Sequence, residues 1–335
     1  MKILVYSTKS YTEETFNKAN TNNVTLDYCV ASLTEQTASL AKGYQGVCCF
    51  VDDDVNAEVI QQLTSYGVGL VLLRCTGFNN VDLDAAEKNG ICVMRVSHYS
   101  PYSVAEFALA MMLTLNRKIH RAYNRVREGN FLLNGLLGFD MHGKTIGIIG
   151  TGKIGSALAE ILSGFSCQVL AHDLVEDTRC QELGVNYIGL NELLQAADII
   201  SIHLPLTPKT MHLINKESLS LMKDSAILIN TSRGAIVNTT DLIAALKQRR
   251  LRGVGLDVYE EESEIYYHDL RDQIIDDDTF ARLLTFPNVL VTGHQGFFTE
   301  EALADIARTT MANIDAFLNN RDEGNCLTQT KMVQA

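Results

Sequence analysis

The sequence predicts an α/β protein built as two doubly wound parallel-sheet units, and three observations carry that prediction. Short apolar runs alternate with helically periodic segments along most of the chain. The alternation is interrupted by one long amphipathic helix that opens at Pro101. A second strand–helix series then begins at Lys144, and its strands end in polar residues. The 335 residues suit two domains better than one, and a hydrophobic content of 46% supplies sizeable cores.

In the first series, 2–8, 25–30, 46–51, 69–75 and 92–96 read as short buried strands, and 55–65 carries helical periodicity. Strands in alternation with helices imply parallel βαβ units. From Pro101, Val104, Phe107, Ala108, Met111, Met112 and Leu115 form one apolar helical face, and the helix is expected to run on through the basic segment 117–127. That face fits a dimer contact or packing within the chain. Residues 131–142 lack a period and read as a loop. The second series gives six expected strands: 145–150, 167–173, 198–205, 226–230, 253–258 and 288–294, the last after a polar excursion, 260–278. Thr299 can cap a final helix, with Glu300 and Glu301 in its first turn and Leu303, Ile306, Ile314, Phe317 and Leu318 as its packed face. The polar tail after Asn319 is expected to fray. The domain division expected is 1–100 with 299–335, and 101–298.

Net charge is -12, which argues against nucleic acid or an anionic membrane as partner and makes any buried cation informative. No secretory signal is visible, and the longest apolar stretch, 107–115, is far below the ~20 residues of a membrane span. The eight cysteines are scattered without CxxC, which fits reduced thiols in the cytoplasm. Metal-ligand spacings are absent, so no metal is expected; the acidic runs 52–54 and 276–278 read as solvated loops.

The segment Gly150-Thr151-Gly152-Lys153-Ile154-Gly155 is GxGxxG placed between an expected strand and helix. Asp173 ends the following strand, eighteen residues after Gly155. Together these form a dinucleotide fingerprint: glycines for close backbone approach, a helix N-terminus for the pyrophosphate, a carboxylate for the ribose hydroxyls. Asp173 would repel a 2′-phosphate, and no arginine follows until Arg179, so NAD is expected over NADP. The other strands of this series end in His203-Leu204-Pro205, Thr231-Ser232-Arg233, Asp257 and His294, along the edge where open parallel sheets bind ligands. Arg233 at the mouth of an apolar strand asks for an anion, either a substrate carboxylate or an internal ion-pair partner. His294 is the natural proton carrier, since imidazole ordinarily titrates near ~6.5. Glu262 could hold that histidine, or belong with Glu260 and Glu261 to an exposed acidic loop.

GTGKIG, HD, TSRG, LDVYEEE and GHQ, in that order, resemble the D-isomer-specific 2-hydroxyacid dehydrogenases, and within them the fermentative D-lactate dehydrogenases. MKILVYSTKSY at the start, RCTGFNNVDLDAA (74–86) and TLNRKIHRAYNRVR (114–127) extend the resemblance almost end to end. It implies a flavodoxin-like substrate domain beside a Rossmann-like NAD-binding domain, with a site between them that excludes water on closure. It implies Arg233, Glu262 and His294 as the catalytic set. Around NAD it implies Lys153, Ile154, Asp173, Leu204, Pro205, Thr231, Ser232 and Asp257, beside Gly150, Gly152 and Gly155. Cys75, Thr76 and Gly77 would bind the substrate carboxylate through backbone N–H groups, with Tyr99 and Phe297 closing the pocket. The implied reaction is reversible reduction of pyruvate to D-lactate, in a homodimer or homotetramer. The alternatives are another 2-oxo acid (hydroxypyruvate, glyoxylate or a branched acid) or a NAD-sensing corepressor-like scaffold. Retention of all three catalytic residues argues against the scaffold; the chain's end soon after the last helix argues against an appended regulatory domain. Two departures stand out. Thr210 replaces a common Asn, and Ser97-His98 replaces a common Pro-Ala, with His98 expected to face solvent.

Overall fold

The computed structural model describes residues 1–21, 24–262, 265–267, 269–321 and 324–328. The chain divides into two compact units: Met1–Ser100 together with the chain from Phe298 onward, and Pro101–Phe297.

In the first unit, elements numbered in chain order are β1 (Lys2–Val5), α1 (Ser10–Ala19), β2 (Thr25–Tyr28), β3 (Gly46–Cys49), α2 (Ala57–Ser65), β4 (Leu70–Leu73), α3 (Leu83–Lys88) and β5 (Cys92–Arg95); the unit's last helix, α12, spans Glu300–Leu318. The sheet is parallel, in the order β2-β1-β3-β4-β5. That is the flavodoxin-like order, with its reversal between β1 and β3. β3 and β4 are buried throughout, as strands covered on both faces must be. Asn56, Asp82 and Thr299 cap α2, α3 and α12 with their side chains, so each helix begins where a short polar acceptor stands. Three expectations fail here. Leu318 is exposed, because the buried stripe of α12 runs through Ala302, Ile306, Thr310, Asn313 and Ile314 instead. The tail folds back where it is described: Arg95 donates N–H to Asn325 O at 3.0 Å and Leu327 donates to Val93 O at 2.8 Å, pairing the segment against β5. Residues 329–335 of the expected frayed end lie outside the described residues. Asp53 is also buried rather than solvated, taking Leu33 and Phe50 N–H at 2.6 Å each and the Ser7 hydroxyl at 2.8 Å.

The second unit contains α4 (Pro101–Arg117), α5 (Ile119–Arg127), β6 (Thr145–Ile149), α6 (Lys153–Ser163), β7 (Gln168–His172), α7 (Thr178–Glu182), β8 (Asn186–Tyr187), α8 (Leu190–Ala196), β9 (Ile199–Ile202), α9 (Lys216–Leu221), β10 (Ile227–Asn230), α10 (Thr239–Lys247), β11 (Gly253–Leu256), α11 (Asp278–Leu284) and β12 (Val289–Val291). Its parallel sheet runs β12-β11-β10-β9-β6-β7-β8, the doubly wound order with one strand added at the edge. Three features differ from expectation. β8 was not anticipated: two residues show no alternation, and the strand exists because it pairs with β7 at Leu170 and Ala171. The long helix breaks at Lys118, which is left-handed at φ 51. There the buried Asn116 side chain exchanges two hydrogen bonds with Phe139, and Lys118 Nζ reaches Leu137 O, so the following loop docks at the break. Finally, the polar excursion ends in α11, capped by Asp277, which also accepts Tyr259 OH at 2.6 Å. Residues 263, 264 and 268 of that excursion lie outside the described residues.

The apolar face of α4 packs within its own unit. Ala108, Met111, Met112 and Leu115 join Ile146, Ile148, Ile227 and Ile229 in one buried cluster. No helix among the described residues is long and apolar enough to cross a membrane.

Candidate active site

The glycine loop is built by close approach. Gly150 has φ +96, and a Cβ there would lie 2.6 Å from His203 O. A Cβ on Gly155 would lie 2.0 Å from Gly150 O, so this turn admits only glycine at both positions. Gly152 caps α6 with no side-chain acceptor, leaving the first N–H groups of that helix without a side-chain cap. A Cβ at Gly152 would meet nothing within 4 Å, so the loop is open on that side. Lys153 is exposed and Ile154 half-buried beside it. Asp173 Oδ2 accepts Thr151 N–H at 2.6 Å, which sets the carboxylate against the loop. Tyr187, from the unforeseen β8, donates to Thr151 Oγ1 at 2.9 Å and steadies the same residue. Arg179 is engaged by Glu160 and Tyr102, so its charge is already matched.

Further along the edge, two buried polar atoms lack a protein partner among the described residues: Thr231 Oγ1 and His203 Nδ1. Orphans of this kind call for a ligand or water. With the open glycine turn and Asp173, they form a set of polar groups whose chemistry fits a dinucleotide. Burial pushes the His203 imidazole down to about 4, so it is neutral near pH 7 and does not compete as a proton carrier. Leu204 is half-buried and Pro205 exposed. Thr210 Oγ1 closes the turn after Pro205, donating to Pro205 O at 2.7 Å and accepting Thr207 N–H at 2.8 Å.

The Arg233 turn is organised by Asn230, a fully buried amide ending β10 that sequence reading passed over. Its oxygen accepts Ser232 N–H and Oγ–H at 3.1 and 2.9 Å, and its nitrogen donates to Arg233 O at 2.9 Å. The available signal was a lone amide closing an otherwise apolar strand. Arg233 is half-buried, and its Nη1 donates to Ser232 O at 2.7 Å. A Cβ on Gly234 would sit 2.0 Å from the Tyr259 carbonyl, so this turn and the 257–262 segment are packed backbone to backbone.

His294 follows β12 at φ 51, a left-handed position unusual for a side-chain-bearing residue. Its N–H bonds to Asp257 O at 2.7 Å. The Asp257 carboxylate takes Thr292 Oγ–H, Gln295 N–H and Gly296 N–H at 2.6, 2.9 and 2.8 Å, so Asp257 pins the turn that presents the imidazole. Burial raises Asp257, against the pull of those hydrogen bonds. Glu262 Oε1 lies 2.9 Å from His294 Nδ1, while its Oε2 accepts Tyr259 N–H at 3.0 Å. Glu260 instead bonds His212 at 2.5 Å, and Glu261 is exposed. Tyr267, also passed over in the sequence, donates its hydroxyl to His294 O at 3.3 Å. Phe297 is half-buried just beyond this turn. In sheet order β11 separates β10 from β12, so the turns of Arg233 and His294 stand two strand spacings apart, about 10 Å.

In the first unit, the segment Cys75–Gly77 follows β4, and Cys75 Sγ contacts Gly77 O at 3.2 Å. Arg95 Nη1 donates to Thr76 O at 3.0 Å and fixes the segment's backbone. Tyr99 is half-buried; His98 is exposed, with Ser97 Oγ 2.9 Å from its ring.

Residues 109–296 match the D-isomer specific 2-hydroxyacid dehydrogenase, NAD binding domain. The chain is similar to 2-hydroxyacid dehydrogenase homolog 1 of Schizosaccharomyces pombe, 48% identical over 96% of this chain and 98% of that protein. Among solved structures it is similar to apo D-lactate dehydrogenase from Escherichia coli, with 46% identity, a TM-score of 0.90 and coverage of 98% and 100%. It is also similar to the NAD-complexed D-isomer specific 2-hydroxyacid dehydrogenase of Lactobacillus delbrueckii ssp. bulgaricus, at 30% identity, TM-score 0.81 and the same coverage. The glycine turn, the Asp173 carboxylate set against it and the histidine–glutamate pair thus sit on a chain that belongs to the D-isomer specific 2-hydroxyacid dehydrogenase family, with residues 109–296 as its NAD-binding domain.

Proposed function

We propose that the protein is a D-lactate dehydrogenase, reducing pyruvate reversibly to D-lactate. The observation that carries this reading is the Glu262–His294 pair at 2.9 Å, two strands from the Arg233 turn on the ligand-binding edge of the sheet. Bound NADH supplies the hydride that the keto carbon takes up. Arg233 holds the substrate carboxylate in its planar fork and polarises the adjacent carbonyl. His294 gives the proton to the carbonyl oxygen from Nε2, since Nδ1 is the nitrogen facing Glu262. Glu262 fixes the ring's tautomer and orientation before transfer. In the reverse direction His294 takes the hydroxyl proton back.

In this reading Gly150, Gly152, Gly155, Lys153 and Ile154 cradle the pyrophosphate of NAD and Asp173 takes the ribose hydroxyls. Leu204, Pro205, Thr231, Ser232 and Asp257 lie around the rest of the cofactor. Backbone N–H groups of Cys75, Thr76 and Gly77 bind the substrate carboxylate, and Tyr99 and Phe297 line its pocket. Pyruvate and the D configuration are supported by relatives named D-lactate dehydrogenase, one from Escherichia coli at 47% identity. A neighbouring structure at TM-score 0.93 is described as a pyruvate reductase of Chlamydomonas reinhardtii. Relatives named only 2-hydroxyacid dehydrogenase favour a second reading, in which another 2-oxo acid is preferred. A homo-oligomer is supported by the large apolar side chains exposed in the segment after α4: Tyr123, Phe131, Leu132, Leu133 and Leu137. Scattered thiols fit a reducing cytoplasm.

The test is NADH oxidation with a panel of 2-oxo acids, followed by chiral analysis of the product. The highest kcat/KM is expected on pyruvate, with D-lactate formed. A higher value on hydroxypyruvate, glyoxylate or a branched acid moves the assignment to the second reading, and L-lactate overturns it.

A further inference from the structure

Two cysteines far apart in sequence meet where the returning tail pairs with β5. Cys92 Sγ and Cys326 Sγ are 3.5 Å apart, across a sequence separation of 234 residues. The placement follows from the ladder. Met94 and Cys326 are antiparallel bridge partners, so Cys92, two residues before Met94, projects from the same face as Cys326 and is its diagonal neighbour. Diagonal pairs have Cα atoms roughly 7–8 Å apart, slightly beyond the usual disulfide range of about 4.4–6.8 Å. A small inward shift closes that gap. The tail can supply it, since it is held to β5 by a few bonds: Asn325 O from Arg95 N–H, Leu327 N–H to Val93 O, and Thr328 Oγ1 from Val93 N–H. Access is unequal. Cys92 is 1% exposed, whereas Cys326 is partly exposed.

We infer that Cys92 and Cys326 are an oxidation site, converted by hydroperoxide to a disulfide that staples the tail to β5. Cys326, the accessible thiol, loses its proton and its sulfur attacks one peroxide oxygen. The O–O bond breaks, the departing hydroxide takes up a proton to become water, and Cys326 becomes a sulfenic acid. Cys92 sulfur then attacks Cys326 sulfur; the S–O bond breaks and, with the Cys92 proton, leaves as a second water. Two thiols lose two electrons, hydrogen peroxide gains two, and two waters form. Reduction by a dithiol reverses the change. Arg95, whose N–H holds the tail, also holds Thr76 O, so the staple bears on a strand that steadies the Cys75–Gly77 segment.

The test uses the full-length protein treated with hydrogen peroxide, alkylated and digested with trypsin without reductant. The expected product is the cross-linked pair Asn89–Arg95 with Asp322–Lys331, lighter than the two thiol peptides by two hydrogens and separated by dithiothreitol. Cys326→Ser is expected to lose this species while folding normally, because position 326 is partly exposed and serine is nearly isosteric. Oxidised wild type is expected to melt several degrees higher than reduced protein, with the difference removed by dithiothreitol. Failure to find the cross-link, a cross-link between other cysteines, its persistence in Cys326→Ser, or a lower Tm on oxidation would each overturn the inference.

Discussion

Glu262 reaches His294 Nδ1 with one carboxylate oxygen at 2.9 Å and receives the Tyr259 N–H on the other at 3.0 Å. The carboxylate is therefore anchored to the backbone of its own turn before it meets the imidazole. That anchoring sets the ring's orientation and leaves Nε2 as the nitrogen able to face a substrate oxygen.

On the proposed assignment, removing His294 should cost more than altering Glu262. His294→Ala is predicted to lower kcat on pyruvate by about 10²–10⁴-fold. Glu262→Gln, which keeps the shape and removes the charge, is predicted to lose about 10–100-fold. NADH affinity, read by fluorescence titration, should hold in both. Near-normal turnover of His294→Ala would reject its assignment as proton donor.

In the proposed reaction Arg233 acts through its planar fork. Arg233→Lys keeps a positive charge but offers no planar pair of N–H donors, so the pyruvate kcat/KM is predicted to fall about 100-fold, mostly through KM. Steady-state kinetics with pyruvate varied at saturating NADH checks this. An unchanged KM and rate would show that the guanidinium serves the fold alone.

Gly234 ties the arginine turn to the turn that carries Glu262. A Cβ there would lie 2.0 Å from the Tyr259 carbonyl carbon and oxygen, neither of which can rotate aside. Gly234→Ala is predicted to destabilise the protein by about 1–3 kcal/mol and to lower turnover as Tyr259 and its bond to Glu262 shift. Denaturant unfolding and kcat, measured together, test it. Wild-type values for both would disprove the close approach.

Asp53 provides a pH signature in the first unit. Burial raises its carboxyl to about 6, even against the N–H groups of Phe50 and Leu33, the Ser7 hydroxyl and the charge of Arg74. A carboxyl whose folded pKa lies above its unfolded value binds protons preferentially in the folded state. Its contribution to stability is therefore present at low pH and is lost as pH rises from about 4 to about 6. The stability advantage of wild type over Asp53→Asn is predicted to shrink across that window and stay constant above it. Urea unfolding at several pH values measures the gap. A gap that widens with pH would mean that the native state holds Asp53 as a favoured anion.

Much of the architecture was legible because it rests on local periodicity. Apolar runs such as 226–230 and 253–258 marked strands, and GxGxxG with Asp173 marked the tight strand-to-helix turn by spacing alone. What escaped was non-local. β8 is two residues long and is a strand only through β7. The break at Lys118 is stabilised by Asn116 bonding Phe139 from a later loop. Asn230 and Tyr267 carry no motif, and their use is visible only once Arg233 O and His294 O stand within reach.

The acidic run Glu260-Glu261-Glu262 marks the boundary. The sequence by itself determined that carboxylates follow the strand ending near Asp257, that a histidine follows the next strand, and that a parallel sheet brings such ends to one edge. Spacing and chemistry offered three identical side chains, and only the family resemblance singled out Glu262. The tertiary structure made the choice: Glu260 turns to His212, Glu261 to solvent, and Glu262 to His294. The reason is geometric. Hydrogen bonds act over about 3 Å, and which of three adjacent residues comes that close depends on how the Tyr259 turn packs against Gly234, a contact between segments distant in the chain.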